Sequence, residues 1–423
     1  MKYSRPRGTQ DIIPPETSKW RHVEEVFTSV FESCGYKGIR TPIFEMTELF
    51  ERAVGEDTDI ITKEMYTFSD RGGRSLTLRP ENTASVVRAY LENGMHRLGG
   101  IIRLYYGGPM FRYEKPQAGR FRQFHQVGVE AIGSRNALVD VEIMDIVLAA
   151  LEKLGFKGLS VKINSVGCSK CRPVYRKKLR SALQDLVGEL CNDCSGRLDK
   201  NPLRIFDCKR CVDIKARLPE ITAHLCGECS EHFDRVTAGL QKLGRLFDRD
   251  PLLVRGLDYY TKTTFEIIHT SLGAQNALCG GGRYDDLIEE CGGPPTPAVG
   301  FSAGLERIIS VLPKESTEAA SLAGSPEFYV VCADDQSSIR ALEIARILRR
   351  TGGTVADLSL RSMKKQMRGA EKTGARFAVI VQNDPPGSVQ CRDLAAREQQ
   401  ELRDDELETY LKRKMHKVRS DSN

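Results

Sequence analysis

The sequence holds no run of about eighteen or more apolar residues, which excludes a helix crossing a membrane. Met1 to Glu16 has no apolar segment, so no secretory signal is expected. There is no internal repeat, which sets repeat architectures aside. There is also little excess of one charge. The 63 Lys and Arg against 57 Asp and Glu leave +6, with a pI of about 8.6. That balance permits a nucleic-acid partner without demanding one. At 40% hydrophobic and 28% charged, the chain is globular and not disordered. Its 423 residues suggest two or three domains with a substantial core. Cysteine is not scarce: there are 13, and with no export signal they point to reduced thiols or metal ligands more than to disulfides.

Apolar residues at helical spacing predict a helix over Ser18 to Ser33, with Trp20, Val23, Val26, Phe27, Val30 and Phe31 inward. Gly38 to Glu45 reads as one strand, with Pro42 placing it at an edge or interface. Glu64 to Leu78 reads as a hairpin turning at Arg71-Gly72-Gly73. Pro80 is expected to open a helix towards Asn93. Val139 to Leu154 has the helical period, and Leu159 to Asn164 returns as a strand. Strands are expected at Leu252 to Leu257 and Thr263 to Ile268, a glycine-rich turn at Gly280 to Asp285, and a strand at Ala298 to Phe301 feeding a helix from Ser302 to Leu312. From Glu327 the order is strand, helix, strand, helix, strand, which implies a small parallel-sheet α/β domain. The tail after Leu411 is basic and expected to fray.

The run Gly107 to Gly133 carries the densest chemistry. Two strands, Gly108 to Glu114 and Phe121 to Ile132, flank a basic loop, Lys115 to Arg120. Alternation puts Arg122, Phe124, Gln126, Gly128 and Glu130 on one face and His125, Val127 and Val129 on the other. A guanidinium, a ring, an amide and a carboxylate fill a core badly but suit a zwitterionic or phosphorylated ligand. This run resembles motif 2 of the class II aminoacyl-tRNA synthetases, and specifically the histidyl-tRNA synthetases. The helix from Ser18 to Ser33 and the strand Gly38 to Glu45 with its Pro42 together resemble motif 1, and Pro297 to Ile308 resembles motif 3. Arg255-Gly256-Leu257-Asp258-Tyr259-Tyr260-Thr261 resembles a signature peculiar to the histidyl enzymes. The resemblance runs from Arg5-Pro6-Arg7-Gly8-Thr9 to the Glu401 region.

The resemblance implies an α/β protein: an antiparallel catalytic sheet over 1–165 and 230–313, an inserted, mostly helical, cysteine-rich module over 166–229, a linker over 314–326, an anticodon-binding α/β domain over 327–411 and a basic tail over 412–423. It implies activation of histidine with ATP and Mg²⁺, transfer to tRNA, a homodimer built through motif 1, and a cytoplasmic location. Phe124 and Arg307 would face adenine and Arg112 the α-phosphate. Arg255 would neutralise charge growing on that phosphate during attack. Glu81, Thr83, Gln126 and Glu130 would hold the amino acid, and Tyr260 and Tyr284 its imidazole. Asn82, where many family members carry glycine, adds bulk between two of these ligands. Lys115, Gln117 and Arg120 would meet the tRNA acceptor end, with Arg120 open between that and ATP.

Cysteines form four CxxC pairs: Cys168/Cys171, Cys191/Cys194, Cys208/Cys211 and Cys226/Cys229. Each pair can put two thiolates on a metal, and tetrahedral Zn²⁺ takes four, so eight would fill two structural sites. Which pair joins which is open. Since the site residues lie outside this module, metal loss is expected to leave activation partly intact. Two other functions compete. One is an inactive synthetase-like regulatory subunit of a histidine-biosynthesis phosphoribosyltransferase, which typically lacks the histidine signatures and the C-terminal domain. The other is a non-enzymatic nucleic-acid-binding protein, which the modest charge disfavours.

Overall fold

The computed structural model describes residues 3–55, 58–115, 119–199, 201–208, 210–269, 277–317, 325–383 and 386–420. The chain forms two compact units, 1–317 and 318–423.

In the first unit the strands are β1 (Lys37–Gly38), β2 (Phe44–Met46), β3 (Tyr66–Ser69), β4 (Ser75–Leu78), β5 (Ile102–Phe111), β6 (Gln123–Ile132), β7 (Leu159–Ser165), β8 (Phe247–Arg249), β9 (Thr261–His269), β10 (Ala277–Arg283) and β11 (Ala298–Gly304). Eight make one sheet in the order β1-β5-β6-β11-β10-β9-β7-β8. The five strands from β5 to β9 and β7 pair antiparallel with their neighbours, while β1 and β8 join the two edges in parallel. One face of the sheet is apolar and packs on helices. Helix Glu16–Ser33 buries the six apolar residues its spacing predicts. Helix Ala137–Lys153 is capped by the Asn136 side chain, which accepts from Leu138 N at 3.1 Å, a contact worth about 1 kcal/mol. Val127 and Val129 enter this core from β6.

Several expected elements fall differently. The segment 38–45 is two short strands with Pro42 between them, because the Arg79 guanidinium, not a strand partner, takes the Thr41 and Pro42 carbonyls. The helix after Pro80 starts only at Thr83. Leu252 to Leu257 is irregular. Pro251 has no N–H to give a ladder, and the Asn164 side chain takes the Pro251 and Leu253 carbonyls at 3.2 and 2.9 Å. Gly280, Gly281 and Gly282 lie inside β10, not in a turn. They are glycines because neighbouring groups occupy the space of a side chain: the Gly300 carbonyl lies over Gly281, and the Arg255 guanidinium over Gly280. The helix expected from Ser302 spans only Leu305–Ser310, because β11 runs on to Gly304.

Residues 166–229 are mostly short helices. Helix Gly227–Lys242 leaves this segment and sends Phe233, Val236 and Leu240 into the main core. Asp140, in the first turn of helix Ala137–Lys153, and Arg283, at the end of β10, form a fully buried ion pair. Asp140 also takes a bond from the His232 ring at 3.1 Å. Burial alone would raise the Asp140 carboxyl, but Arg283 and then His232 hold it down to about 2.

In the second unit, β12 (Phe328–Cys332), β13 (Thr354–Asp357), β14 (Phe377–Val381), β15 (Ser388–Asp393) and β16 (Glu398–Arg403) are ordered β13-β12-β14-β15-β16. Only the first three are parallel. The two antiparallel strands were not expected, because β16 reads Glu-Gln-Gln-Glu-Leu-Arg and is exposed but for Leu402. Past Leu411, where the tail is expected to fray, the backbone continues helix Asp404–Ser420, and ahead of it Leu407 and Leu411 are buried.

Removing one partner of the buried pair should expose its cost. Arg283→Met should lower stability by about 3–5 kcal/mol, measured by denaturant unfolding at neutral pH. The sign with pH follows from Asp140. Its folded value lies below the ordinary 3.8, so its contribution is complete above about pH 4 and is lost as pH falls towards 2. The deficit of the variant should shrink over that window.

Candidate functional site

The polar face of the β5–β6 hairpin opens into two joined cavities. The larger, about 240 Å³, is lined by Arg112, Arg120, Phe124, Arg255 and Arg307, with Glu114, Glu266 and Glu306 among the other walls. The smaller, about 120 Å³, is lined by Glu81, Thr83, Gln126, Glu130, Tyr260 and Tyr284, among others. Arg112, Gln126, Arg255 and Ser302 line both. The expected ATP-side residues Arg112, Arg120, Phe124 and Arg307 thus line the larger cavity and the expected amino-acid-side residues the smaller, with Arg112, Gln126 and Arg255 at the seam between them. Lys115 is exposed and lines neither cavity, and Gln117 lies outside the described residues.

The larger cavity gathers guanidinium groups around an aromatic ring. Arg112 lies 5.3 Å from the Phe124 centroid and donates from Nε to the Pro80 carbonyl at 2.8 Å. Arg307 donates to the Ala277 carbonyl at 2.9 Å. Arg120 donates to Glu114 at 2.9 Å. Arg255 is bonded to Glu266 of β9. The Glu306 carboxylate accepts from the His125 backbone at 2.9 Å and lies 3.0 Å from its ring nitrogen. Four cations beside a π-face suit a polyanion carrying a flat base.

The smaller cavity is built around Glu130. Its carboxylate accepts from Thr83 Oγ1 at 2.8 Å, from the Tyr106 hydroxyl at 3.4 Å, and from the Tyr284 hydroxyl. Burial pushes its carboxyl up to about 8, against the lowering effect of those donors. Glu81 accepts from Thr83 N and Ala84 N at 2.7 and 2.9 Å, capping the helix Thr83–Glu92 with the oxygens that also line the cavity. Its carboxyl is raised too, by burial first. Gln126 Oε1 is buried without a partner among the described residues. Two buried carboxylates and an open acceptor suit a small ligand carrying an ammonium. Tyr260 is buried at the wall with its ring 4.7 Å from that of Tyr259. The Tyr284 hydroxyl is committed to Glu130, which leaves it an acceptor lone pair.

Sequence reasoning missed Glu114, Glu266, Glu306, Tyr106 and Tyr259. Glu306 stands beside Arg307 in the quoted motif 3 run, and Tyr259 within the Arg255 signature. Glu266 left a fainter trace: the one acidic side chain of β9, between Phe265 and Ile267 and opposite Gly280 in the ladder.

The cysteines sort into two groups. Sγ atoms of Cys168, Cys171, Cys226 and Cys229 lie within 4.8 Å of one another, as do those of Cys191, Cys194, Cys208 and Cys211. Backbone N–H groups of Cys226 and Cys191 donate to Cys171 and Cys211 sulfur at 3.1 and 3.4 Å. The Cys194 and Cys229 backbone N–H groups hold the Cys191 and Cys226 thiols down to about 7.

The model of the histidyl-tRNA synthetase family matches residues 8–191 and 206–308, and that of an anticodon-binding domain matches 327–414. The histidine–tRNA ligase of Pelotomaculum thermopropionicum is 48% identical over 98% of this chain and 99% of its own. The apo histidyl-tRNA synthetase of S. aureus is 37% identical, with a TM-score of 0.80 over 96% of this chain and 99% of that one. A structure described as an ATP phosphoribosyltransferase regulatory subunit/histidyl-tRNA synthetase, from Bacillus halodurans, shares the fold at 22% identity and a TM-score of 0.65.

Glu130 sets a pH dependence. Its folded value, about 8, exceeds the ordinary 4.5, so the folded state keeps a proton the unfolded state has lost. Its effect on stability is nil below about pH 4.5, grows unfavourable as pH rises to about 8, and is constant above. Glu130→Gln should therefore melt higher than the parent protein at pH 8.5. The difference should close as pH falls to 5, read by thermal denaturation across that range.

Proposed function

Because the chain belongs to the histidyl-tRNA synthetase family, we propose that its joined cavities activate L-histidine with ATP to histidyl-adenylate and then pass the histidyl group to tRNA. The seam carries this reading: Arg112, Gln126 and Arg255 face both cavities, where a carboxylate from one side would meet a phosphate from the other. ATP occupies the larger cavity, its base between Phe124 and Arg307 and its α-phosphate against Arg112. Arg120 serves ATP in the same cavity. Histidine occupies the smaller one. Its ammonium sits on Glu130, Glu81 and Thr83, and its ring meets Tyr260 and the free lone pair of Tyr284. An ammonium arriving at Glu130 drives off the proton that burial keeps there.

A carboxylate oxygen of histidine bonds to the α-phosphorus. The bond to the bridging oxygen breaks, and pyrophosphate leaves with the electron pair. Arg255 and Arg112 offset the charge that grows on the α-phosphate oxygens, so catalysis is mostly positioning and electrostatics. Mg²⁺ enters as part of the nucleotide substrate. Glu114, Glu266 and Glu306 are already engaged by Arg120, Arg255 and His125, so none is assigned as a resident ligand. Transfer follows when the tRNA acceptor end reaches the loop bearing Lys115 and Gln117.

In this reading 1–165 and 230–313 are the catalytic domain, 166–229 the insertion, 314–326 the linker, 327–411 the anticodon-binding domain and 412–423 the tail. The protein works in the cytoplasm; among the described residues no helix is long and apolar enough to cross a membrane. It works as a homodimer through the motif 1 region. Ile43, Phe44 and Phe68 there are 44%, 50% and 45% exposed, an apolar face on the small β2-β4-β3 sheet that calls for cover. Each cysteine group holds a structural Zn²⁺, since four thiolates in one cluster match its tetrahedral demand. The regulatory-subunit alternative is disfavoured, because the side chains expected to hold histidine converge on one cavity.

Two measurements test this. The protein should exchange pyrophosphate into ATP only with histidine present. Arg255→Ala should slow adenylate formation on the order of 10²-fold or more while changing the apparent constants for ATP and histidine much less, because its target charge is greatest in the transition state. Absence of exchange with any amino acid would overturn the activity and leave the regulatory-subunit alternative in front. Sedimentation at micromolar concentration should give twice the chain mass of 47.3 kDa, and Phe44→Asp with Phe68→Asp should shift it to monomer.

A further inference from the structure

The insertion does not stand apart from the reaction centre. Its Tyr175, Leu179, Ile205 and Phe206 share one apolar core with Tyr260 and Tyr284. More specific contacts reach the irregular segment between Arg255 and Tyr260. Arg204 donates to the Asp258 carboxylate at 2.8 Å and to the Gly256 carbonyl at 3.2 Å. Asn201 donates to the other Asp258 oxygen at 3.1 Å. Arg172 donates to the Asp258 carbonyl at 3.2 Å. Arg204 and Asn201 are nine-tenths buried.

These three residues sit within the two cysteine groups. Arg172 follows Cys171 directly, and Asn201 and Arg204 lie between Cys194 and Cys208. The segment they hold has no ladder of its own: Leu252 to Tyr260 lies outside every strand. Its shape is therefore set from outside, and a good part of that outside is metal-ligand chain. We propose that the two cysteine clusters are zinc knots that latch the segment 256–258 through Arg172, Asn201 and Arg204, so that metal occupancy sets the rate at which Arg255 acts. The proposal rests on the synthetase reading above and on zinc filling both clusters. Arg204 and Asn201 are positioning residues, touching neither cavity wall shared by the substrates. The expectation that metal loss spares activation, drawn from the site residues lying outside 168–229, is replaced: the site residues lie outside the insertion in sequence but are held by it in space.

The test uses the full-length protein. Elemental analysis should find two zinc ions per chain. Stripping them with a chelator should lower kcat for histidine-dependent exchange on the order of 10²-fold, the scale of a displaced catalytic group, and adding Zn²⁺ should restore it. Arg204→Met should keep both zinc ions and its melting transition, lower kcat about tenfold or more, and leave KM for ATP nearly unchanged; Arg204→Lys should recover most of the rate. Asp258→Asn should repeat the effect from the other side of the latch. Wild-type kcat in both Arg204→Met and Asp258→Asn would overturn the latch with zinc still bound. Full kcat in metal-free protein would overturn the role of the metal. Failure of the synthetase reading is separate, because it shows as no exchange in the unaltered protein.

Discussion

A carboxylate placed in the middle of a sheet is the constraint on which the rest depends. Glu130 is 1% exposed, on the interior strand β6, with β5 and β11 on either side. An isolated buried carboxylate is costly, so every neighbour is shaped to receive it. Gly300 stands opposite it in the ladder with no side chain, because a Cβ would overlap the carboxylate. Thr83 reaches it from the first turn of a helix, and the Tyr106 and Tyr284 hydroxyls close around it. Even so, the carboxyl is left with a raised pKa. A site that prefers its acid neutral when empty and charged when a cation arrives selects a cationic ligand by that difference.

Tyr284 in turn needs an anchor, and its sequence neighbour supplies one. Arg283 is fully buried, bonded to Asp140, to the Ser134 carbonyl at 2.8 Å and to Asp285 at 3.1 Å. This network ties the end of β10 to helix Ala137–Lys153, and through His232 to helix Gly227–Lys242. A buried ion pair is weak evidence for stability, since its desolvation offsets much of its attraction. Its value here is placement: the backbone at Arg283 cannot shift without stranding a charge, so the Tyr284 hydroxyl stays on Glu130.

What could be read in advance follows from this arrangement. The polar face of β6 was legible because strand alternation is local and needs no partner to be seen. Helix Glu16–Ser33 was legible for the same reason at the helical period. The glycines at 280–282 were misread, because a glycine that turns the chain and one that vacates space for Arg255 look alike in sequence; only the neighbour distinguishes them. Leu252 to Leu257 was misread because its apolar residues suggest a strand, while its backbone partners are side chains far along the chain, Asn164 and Arg204. The amino-acid and ATP residues named from motifs converge on two cavities, but the pairing of Glu114 with Arg120, of Glu266 with Arg255 and of Glu306 with His125 shows only once the strands lie side by side. Strand β16 escaped because an exposed edge strand needs few apolar residues.

The insertion poses the same problem of order by another route. Its helices are short: apart from Cys171–Gln184, the α-helices and 3-10 helices between Cys168 and Cys226 among the described residues span 3 to 6 residues each. Helices of that length are unstable alone and must be held by tertiary contacts. The two cysteine groups divide that work by their place in the chain. With the zinc proposed above, the first would join Cys168 and Cys171 to Cys226 and Cys229, residues 58 apart, and so close the whole insertion at its root. Closing a loop of that length removes much of the freedom of the unfolded chain, but a root clamp leaves the interior free. The second group, Cys191 and Cys194 with Cys208 and Cys211, would close a smaller loop inside the first, and that loop carries Asn201 and Arg204. The root alone would fix Arg172 and leave the Asp258 carboxylate without its partners. The inner group alone would order Asn201 and Arg204 on a module whose root was loose. In that reading, holding Asp258 by both its carbonyl and its carboxylate calls on both clusters, Arg172 following the first and Asn201 and Arg204 lying within the second.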